Sequence, residues 1–179
     1  MADERKVISN VAMSLDGYIA LPDGDISFLS EVEKEGEDYG YADFIKTIDT
    51  IIVGRKTYDK ILEIGFKYPD DKEVYVITRD EKPGKQELKF YSGSLKKLVS
   101  ELKSVAGEDI FCDGGSEIIN QLLMDNLIDE FIISVIPVIL GDGIPLFKKK
   151  ISRMNLKLID CQKFDTGLVQ MHYTKIDEY

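Results

Sequence analysis

Short apolar runs alternate with amphipathic stretches along most of this chain. Runs rich in β-branched and aromatic residues predict strands at residues 7–12, 50–53, 73–78, 88–91 and 110–112. Apolar residues spaced three and four apart predict helices at residues 41–48, 95–105 and 116–127. The middle helix has Ser94 as its expected cap and Gly107 as its expected end. Residues 27–46 carry six acidic residues, and their first half is most simply a solvated face.

The last third of the chain has a different pattern. Residues 131–140 form an apolar run that predicts a buried strand, and two further strand-like runs at residues 156–161 and 168–176 are joined by Asp165-Thr166-Gly167. Such a pair is typical of a β-hairpin. Strands interleaved with helices, followed by a strand-rich tail, predict a mostly parallel sheet flanked by helices, with an antiparallel C-terminal hairpin. With 179 residues and no repeat or linker, the sequence predicts a single α/β domain over residues 1–179.

The composition and net charge of the chain argue against several classes of function. The net charge of -10 argues against nucleic acid or an anionic membrane as a partner, because both need a basic surface. The charged start and the shortness of the apolar runs predict a cytoplasmic protein. Cys112 and Cys161 lie in strand-like runs and are expected to be buried thiols, and no metal site is expected. The single histidine, His172, is expected on a strand surface, which removes most zinc and catalytic-triad chemistry.

A glycine pair separates the strand at residues 110–112 from the following helix. Gly114 and Gly115 permit backbone conformations closed to other residues and leave room for a ligand at the helix N-terminus, where unpaired N–H groups attract anions. The alternative is a plain strand-to-helix turn with Ser116 as the N-cap, and on this stretch alone it is the better supported of the two.

Two other polar turns follow predicted strands. One contains Gly54 with Arg55, Lys56 and Thr57, and the other contains Thr78 and Arg79. Ligands of open α/β sheets bind beyond the carboxyl ends of the strands, and guanidinium groups grip phosphate bidentately. In an acidic protein these turns together favour a dinucleotide with an extra phosphate, hence NADPH rather than NADH. The chain has neither the Rossmann glycine motif nor the Walker lysine motif, so the site would be of another type.

Four motifs occur in the order of a known superfamily. They are residues 13–20 (MSLDGYIA), 54–58 (GRKTY), 114–117 (GGSE) and 141–147 (GDGIPLF). Together they resemble the dihydrofolate reductase superfamily, and within it the branch similar to the C-terminal reductase domain of the bifunctional riboflavin biosynthesis protein. The resemblance covers essentially the whole chain and implies a dihydrofolate-reductase-like, three-layer fold.

The resemblance also implies residue roles around an extended NADPH. Gly54, Arg55, Lys56 and Thr57 would meet the pyrophosphate and adenosine phosphate, while Thr78 and Arg79 would close on the 2′-phosphate. The second glycine turn would hold the pyrophosphate from the other side, with a cis peptide between its glycines; its residues are Gly114, Gly115, Ser116 and Glu117. Ala12 and Ile19 would hold the nicotinamide amide. The reaction would be hydride transfer to a polarised carbonyl or imine carbon.

The resemblance leaves the substrate and proton donor open. Asp16 is the candidate catalytic residue, because the family motif puts it at the end of the first strand, although Asp16-Gly17 could equally be a turn. The riboflavin branch acts on a ribosylamino-pyrimidine phosphate, yet residues 27–46, where part of the pocket should lie, are acidic. The expected function is an NADPH-dependent reductase of a small heterocyclic or ribosylamino-pyrimidine-type substrate. Dihydrofolate reduction, a non-catalytic NADPH-binding module and a domain without any nucleotide site are the alternatives. Related reductases suggest a homodimer.

Overall fold

A computed structural model describes residues 4–80, 87–149 and 151–176. The strands, in chain order, are β1 (Val7–Ser14), β2 (Tyr18–Ala20), β3 (Ile48–Gly54), β4 (Glu73–Ile77), β5 (Leu88–Tyr91), β6 (Asp109–Gly114), β7 (Glu130–Ile136), β8 (Ile144–Pro145), β9 (Leu156–Lys163) and β10 (Val169–Lys175). The helices are α1 (Tyr41–Lys46), α2 (Arg55–Glu63), α3 (Leu95–Lys103) and α4 (Ser116–Met124), and a 3₁₀ helix spans Ser27–Val32. None of the helices in these ranges is both long and apolar enough to cross a bilayer.

One eight-stranded sheet organises the fold. Its order is β5-β4-β3-β6-β1-β7-β10-β9, and β2 pairs separately with β8. The six strands from β5 to β7 are parallel, whereas β10 runs antiparallel to both β7 and β9. The predicted parallel sheet with an antiparallel C-terminal hairpin is therefore confirmed. Parallel strands need both faces covered, which explains why β3 and β6 consist almost wholly of buried residues.

Helices cover the two faces of the sheet and complete three layers. On one face, α3 and α4 pack on a core that includes Ile52, Ile110 and Cys112. On the other face, α1 and α2 pack on Ile51, Val53 and Phe111. The alternation of neighbours such as Phe111 and Cys112 between the two cores follows from the two-residue period of a strand. A third cluster, beneath the 3₁₀ helix, contains Phe28, Val32, Ile136 and Leu168.

A buried arginine ties the amino end of β1 to the amino end of β3. Arg5 is 5% exposed and forms an ion pair with Asp49. Its guanidinium also donates hydrogen bonds to Thr50 Oγ1 at 2.9 Å and to the carbonyl of Leu102 at 2.9 Å. Its Nε donates to the carbonyl of Glu108 at 2.6 Å, so each guanidinium nitrogen has an acceptor, which is the condition under which a buried cation is tolerated. This network lies at the amino ends of the strands, whereas the glycine turns lie at their carboxyl ends.

Several local predictions differ from the structure. Gly115 is the N-cap of α4, and Ser116 is its first helical residue, whose hydroxyl donates to the carbonyl of Pro145 at 2.6 Å. Cys161 is exposed, because both faces of the edge strand β9 are exposed; Cys112 is buried as predicted. The first half of the acidic segment is not simply solvated, since Phe28 and Val32 of the 3₁₀ helix are buried.

Candidate functional site

The sheet order brings the three predicted polar turns to one edge. β4, β3 and β6 are adjacent parallel strands, so the turns that follow them lie side by side at their carboxyl ends. Val53 of β3 pairs directly with Gly114 of β6. Gly54–Thr57, Thr78–Arg79 and Gly114–Glu117 therefore form one contiguous rim, which we call the glycine rim. Strands of a parallel sheet are the usual platform for such an edge site.

The two glycine turns of the rim touch each other. A Cβ built on Gly115 would lie 2.7 Å from Oγ1 of Thr57, and one built on Gly54 would lie 3.0 Å from Cγ1 of Ile118 and 3.4 Å from the carbonyl oxygen of Gly114. Gly114 has a φ of +97°, a conformation that favours glycine, and the Gly114–Gly115 peptide is cis, as the resemblance implied. Side chains at Gly54 and Gly115 would push the two turns apart, so the glycines allow this close approach.

Two helices begin at the rim. The N-caps are Gly54 for α2 and Gly115 for α4, and neither can offer a capping side chain. The first N–H groups of a helix carry the positive end of its dipole and bind anions such as phosphate. Because α2 and α4 lie on opposite faces of the sheet, their N-termini approach the rim from two sides. The donor set therefore fits a pyrophosphate placed between them.

The predicted cations of the rim are oriented differently from one another. Arg55 bonds to both oxygens of Asp59, at 2.7 and 2.8 Å, and lies over the ring of Phe90. Its ion pair holds the side chain along α2. Lys56 and Arg79 are exposed. Thr78 Oγ1 accepts a hydrogen bond from the N–H of Asp80 at 3.3 Å, which shapes the turn that presents Arg79.

The glycine pair is braced from below by the segment at residues 144–148. Besides the bond from Ser116 to Pro145, the buried amide of Asn120 donates to the carbonyls of Ser116 and Leu146, at 2.7 and 2.8 Å. Glu117 is exposed and forms an ion pair with Lys148. Glu117 is thus paired with a cation of the protein itself. The hydroxyl of Ser116 already donates its hydrogen bond to the backbone of this segment.

Ala12 and Ile19 lie near the rim but in different environments. Ala12 belongs to β1, next to β6, and pairs with Ser134 of β7. Ile19 lies in β2 and packs against the core that contains α4. Ala12 is the one that also lines the cavity described below. Their proposed contact with a nicotinamide stays a prediction.

Asp16 fastens two loops together. Its carboxylate accepts hydrogen bonds from Ser14 Oγ at 2.6 Å and from the N–H groups of Leu140 and Gly141 at 3.1 and 2.7 Å. The Ser14 hydroxyl, with the two N–H groups, lowers the pKa of Asp16 below its ordinary value. An ionised, threefold hydrogen-bonded carboxylate is a poor proton donor, so this geometry favours a loop-holding role over acid catalysis.

A cavity of about 640 Å³ opens on the α1 face of the sheet. Its floor comes from β1, β6, β7 and β10, with Asn10, Ala12, Asp113, Ser134 and Gln170 among the lining residues. Its wall is the segment at residues 26–41, between β2 and α1, which we call the cover. A cavity of this size with a few polar groups is typical of a small-molecule site.

Asp113 is the functional candidate that the sequence predictions missed. It lines the cavity and is the residue directly before the glycine pair. Burial raises the pKa of Asp113 to about 7, although a hydrogen bond donated by the Tyr68 hydroxyl to Oδ2 lowers it. A carboxyl with this pKa can hold a proton at neutral pH and give it up, as a general acid must. The signal in the sequence was an acidic residue that ends a buried strand.

A second group of the cavity lacks a partner. Among the described residues, the buried hydroxyl of Tyr41 has no hydrogen-bond partner. Burial, followed by the charge of Asp113, raises the pKa of Tyr41 to about 12, so this hydroxyl stays protonated. Buried hydroxyls are rarely left without a hydrogen-bond partner. An unpaired hydroxyl that lines a cavity is therefore suited to donate a hydrogen bond to an acceptor atom of a ligand.

Comparison with known sequences identifies the family. Residues 66–170 match the RibD C-terminal domain, a range that includes the glycine pair, Asp113 and strands β4 to β9. The chain belongs to the RibD C-terminal domain family. The sequence-based assignment to this branch is therefore confirmed.

Two relatives of this RibD C-terminal domain protein match it over nearly their full length. The chain is 42% identical to the uncharacterized protein YwjB of Bacillus subtilis (strain 168) over 175 residues, which cover 96% of the chain and 99% of that protein. Among solved structures, a "Putative riboflavin biosynthesis protein" from Shewanella sp. PV-4 superposes with a TM-score of 0.86 at 28% identity, covering 96% of this chain and 99% of that one.

The wider fold family is confirmed by a more distant structure. Dihydrofolate reductase from Enterococcus faecalis, complexed with NADP(H) and RAB-propyl, superposes with a TM-score of 0.66 at 14% identity, covering 96% of this chain and 97% of that one. The RibD C-terminal domain protein therefore has the dihydrofolate-reductase-like three-layer fold that the motifs implied. At this identity the likeness concerns the fold alone.

Proposed function

We propose that the protein is an NADPH-dependent reductase that transfers a hydride to a small heterocyclic substrate held in the cavity. The observation that carries the proposal is the position of Asp113. One side of this residue is the glycine rim, suited to a dinucleotide, and the other is the cavity, suited to a small molecule. Family membership and the reductase fold support the same reaction class.

The glycine rim would hold the cofactor. The N-termini of α2 and α4 would bind its pyrophosphate, and Gly54 and Gly115 let the two turns approach closely enough for both N-termini to face it. Exposed Arg79 and Lys56 are available for a 2′-phosphate, which a guanidinium binds bidentately. When bound, NADPH supplies the hydride.

The chain's own residues would supply orientation and the proton. Tyr68 occupies Oδ2 of Asp113, so the proton would be held at Oδ1 and passed to a ring nitrogen or carbonyl oxygen of the substrate. The unpaired Tyr41 hydroxyl would donate to a substrate acceptor and fix the ring in place. The cover would exclude water from the reacting atoms, which strengthens these polar contacts.

The test is NADPH oxidation, followed at 340 nm, with pyrimidine, pterin and flavin substrates, including dihydrofolate. We expect turnover of at least one small heterocycle, and a fall in kcat of about 10²- to 10⁴-fold in Asp113→Asn with NADPH binding retained. Asp125→Asn, an exposed change at the far end of α4, is the matched control. NADPH binding without oxidation of any substrate would instead favour a non-catalytic nucleotide-binding module.

A further inference from the structure

The charged residues that line the cavity are mainly acidic, which is unusual for a site that binds a substrate with a phosphate group. Of the described residues that line it, four are acidic and one is a cation; the acidic ones are Glu33, Glu37, Asp38 and Asp113, and the cation is Lys34. Lys34 lies 3.7 Å from Asp165, outside the lining, so part of its charge is already compensated. Asp113 lies on the floor and can hold a proton at neutral pH, so the charge of the entrance comes from the three carboxylates of the cover against one lysine and is negative.

Two of the three lining carboxylates of the cover are held by backbone N–H groups. Asp38 accepts hydrogen bonds from the N–H groups of Gly40 and Ala42 at 3.0 and 2.9 Å, where the chain enters α1. Glu37 accepts one from the N–H of Tyr39 at 2.9 Å. Because backbone groups hold these two side chains, they cannot easily turn away from an approaching ligand. Their charge is a fixed property of the cavity wall.

The inner part of the cavity offers neutral polar groups. Gln170 donates from Nε2 to Ser134 Oγ at 3.0 Å and to the carbonyl of Tyr39 at 3.1 Å, which leaves its carbonyl oxygen as an acceptor. Tyr41 contributes an unpaired donor, and Asn10 an amide. Donors and acceptors of this kind match the edge of a nitrogen heterocycle. The described lining contains no arginine, the residue that binds phosphate and carboxylate bidentately.

We propose that the cavity accepts a nitrogen heterocycle that is neutral or cationic and discriminates against substrates with a phosphate or carboxylate tail. The inference rests on the proposed reductase function and specifies its substrate class. A phosphate group at the cover would face fixed carboxylates without a compensating guanidinium, and both desolvation and like-charge repulsion would oppose its binding. A free base or a riboside of the same heterocycle meets neither penalty.

The experiment compares pairs that share a heterocycle, one member of each pair carrying an anionic tail. The first pair is 5-amino-6-(ribosylamino)uracil and its 5′-phosphate, and the second is a 6-methyl-dihydropterin and dihydrofolate. Dissociation constants are measured by calorimetry on the full chain with NADP⁺ present, and kcat/KM is measured with NADPH. We expect the uncharged member of at least one pair to bind at least 10-fold more tightly. Added salt should reduce the difference, because salt screens exposed charges.

Variants of the cover assign the discrimination to its carboxylates. In Glu33→Gln combined with Glu37→Gln, the preference for the uncharged member should fall at least threefold. Glu31→Gln combined with Glu35→Gln removes the same charge from exposed residues of the same segment that do not line the cavity, and should change the preference far less. Both double variants conserve side-chain size, and thermal unfolding of each checks that it folds.

Three results would overturn the inference. The first is equal or tighter binding of the anionic member in both pairs, and the second is an unchanged preference in the Glu33 and Glu37 variant. The third is no binding of any of the four molecules. Failure of the reductase function itself would appear separately on the same samples, as an absence of NADPH oxidation with every molecule that binds.

Discussion

The hydroxyl of Tyr68 donates a hydrogen bond to Oδ2 of Asp113, across 45 positions of the chain. This contact opposes burial, which raises the pKa of Asp113. In Tyr68→Phe the lowering contribution is lost, so the pKa of Asp113 should rise above about 7. If Asp113 is the proton donor, activity falls as pH rises through this pKa, and the alkaline limb of kcat should move to higher pH in the variant. A pH profile with an unmoved limb would contradict the assignment.

The raised pKa of Asp113 also predicts how stability depends on pH. Between its ordinary value of 3.8 and about 7, the folded protein holds this proton more tightly than the unfolded chain, so Asp113 costs stability as pH rises through that window. Asp113→Asn should therefore gain stability relative to the unaltered protein between pH 4 and pH 8. The gain is expected to stay below about 4 kcal/mol, because the carboxyl still lines a cavity that water can enter. Urea unfolding at both pH values measures it.

Thermal unfolding with each dinucleotide tests the glycine rim. NADPH at a hundred times its dissociation constant should stabilise the protein by about 2.7 kcal/mol, a rise in Tm of roughly 5 to 10 °C, and NADH should do less. Arg79→Ala should weaken NADPH far more than NADH. Arg153→Ala changes an exposed arginine just before β9, at the opposite edge of the sheet, and should affect neither. Equal losses of both dinucleotides in Arg79→Ala would refute its role at the 2′-phosphate.

Gly54→Ala should disturb both stability and cofactor binding. The new Cβ would lie 3.0 Å from Cγ1 of Ile118, a crowding expected to cost about 1 to 3 kcal/mol. Ile118→Ala removes the crowding atom, so the double variant should be less destabilised than the sum of the two single changes. Denaturant unfolding of the four proteins measures this coupling. Additive losses would show that the contact is not tight in solution.

The network of Arg5 should contribute to stability without influencing the site. Arg5→Ala removes the cation beside Asp49, whose side chain is 36% exposed, and leaves the buried carbonyl of Leu102 without its donor, so it should cost about 1 to 3 kcal/mol of unfolding free energy. Lys46→Ala breaks an exposed pair with Asp43 and should cost no more than about 0.5 kcal/mol. Both are measured by urea unfolding. The NADPH affinity of folded Arg5→Ala should match that of the unaltered protein. The network lies at the amino ends of the strands, far from the glycine rim at their carboxyl ends.

The exposed edge strand β9 is the basis for expecting a homodimer. β9 is an edge strand whose residues are all exposed, and Leu156, Leu158 and Ile159 are among them. Exposed apolar edge strands tend to be covered in the functional state. We expect a homodimer by light scattering, and a shift to the monomer mass in Leu158→Glu but not in Met124→Glu, which alters an exposed residue of α4. A monomer mass for the unaltered protein at micromolar concentration would remove the dimer.

The sequence predicts the central sheet well because buried parallel strands leave a strong local signal. Residues 50–53 are all β-branched and mostly apolar because both faces of β3 are covered. Edge strands give a weaker signal: β9 mixes apolar with charged residues and is exposed on both faces, so Cys161 was wrongly expected to be buried. The glycine rim could be assembled from the sequence, since consecutive strand ends of a parallel sheet share an edge.

The cavity could not be predicted in the same way. Tyr68 and Asp113 meet only because residues 64–72, after α2, return to the end of β6, and no periodicity encodes that contact. For Asp16 the motif could not separate two roles, because a carboxylate can accept hydrogen bonds from the backbone of a distant loop as readily as contact a substrate. The sequence of the cover has a polar pattern typical of solvated surface. Two of its apolar residues, Phe28 and Val32, are nevertheless buried against Ile136 and Leu168.

The cover comes from one uninterrupted stretch of chain. Residues 26–41 form the cavity wall, whereas the turns of the glycine rim follow β3, β4 and β6, and residues 26–41 also precede the range that matches the RibD C-terminal domain. Exchanging this single stretch would therefore alter what the cavity admits while the dinucleotide platform stays intact. One fold could in this way diversify among substrates, and an engineer could graft covers between relatives with only two splice points.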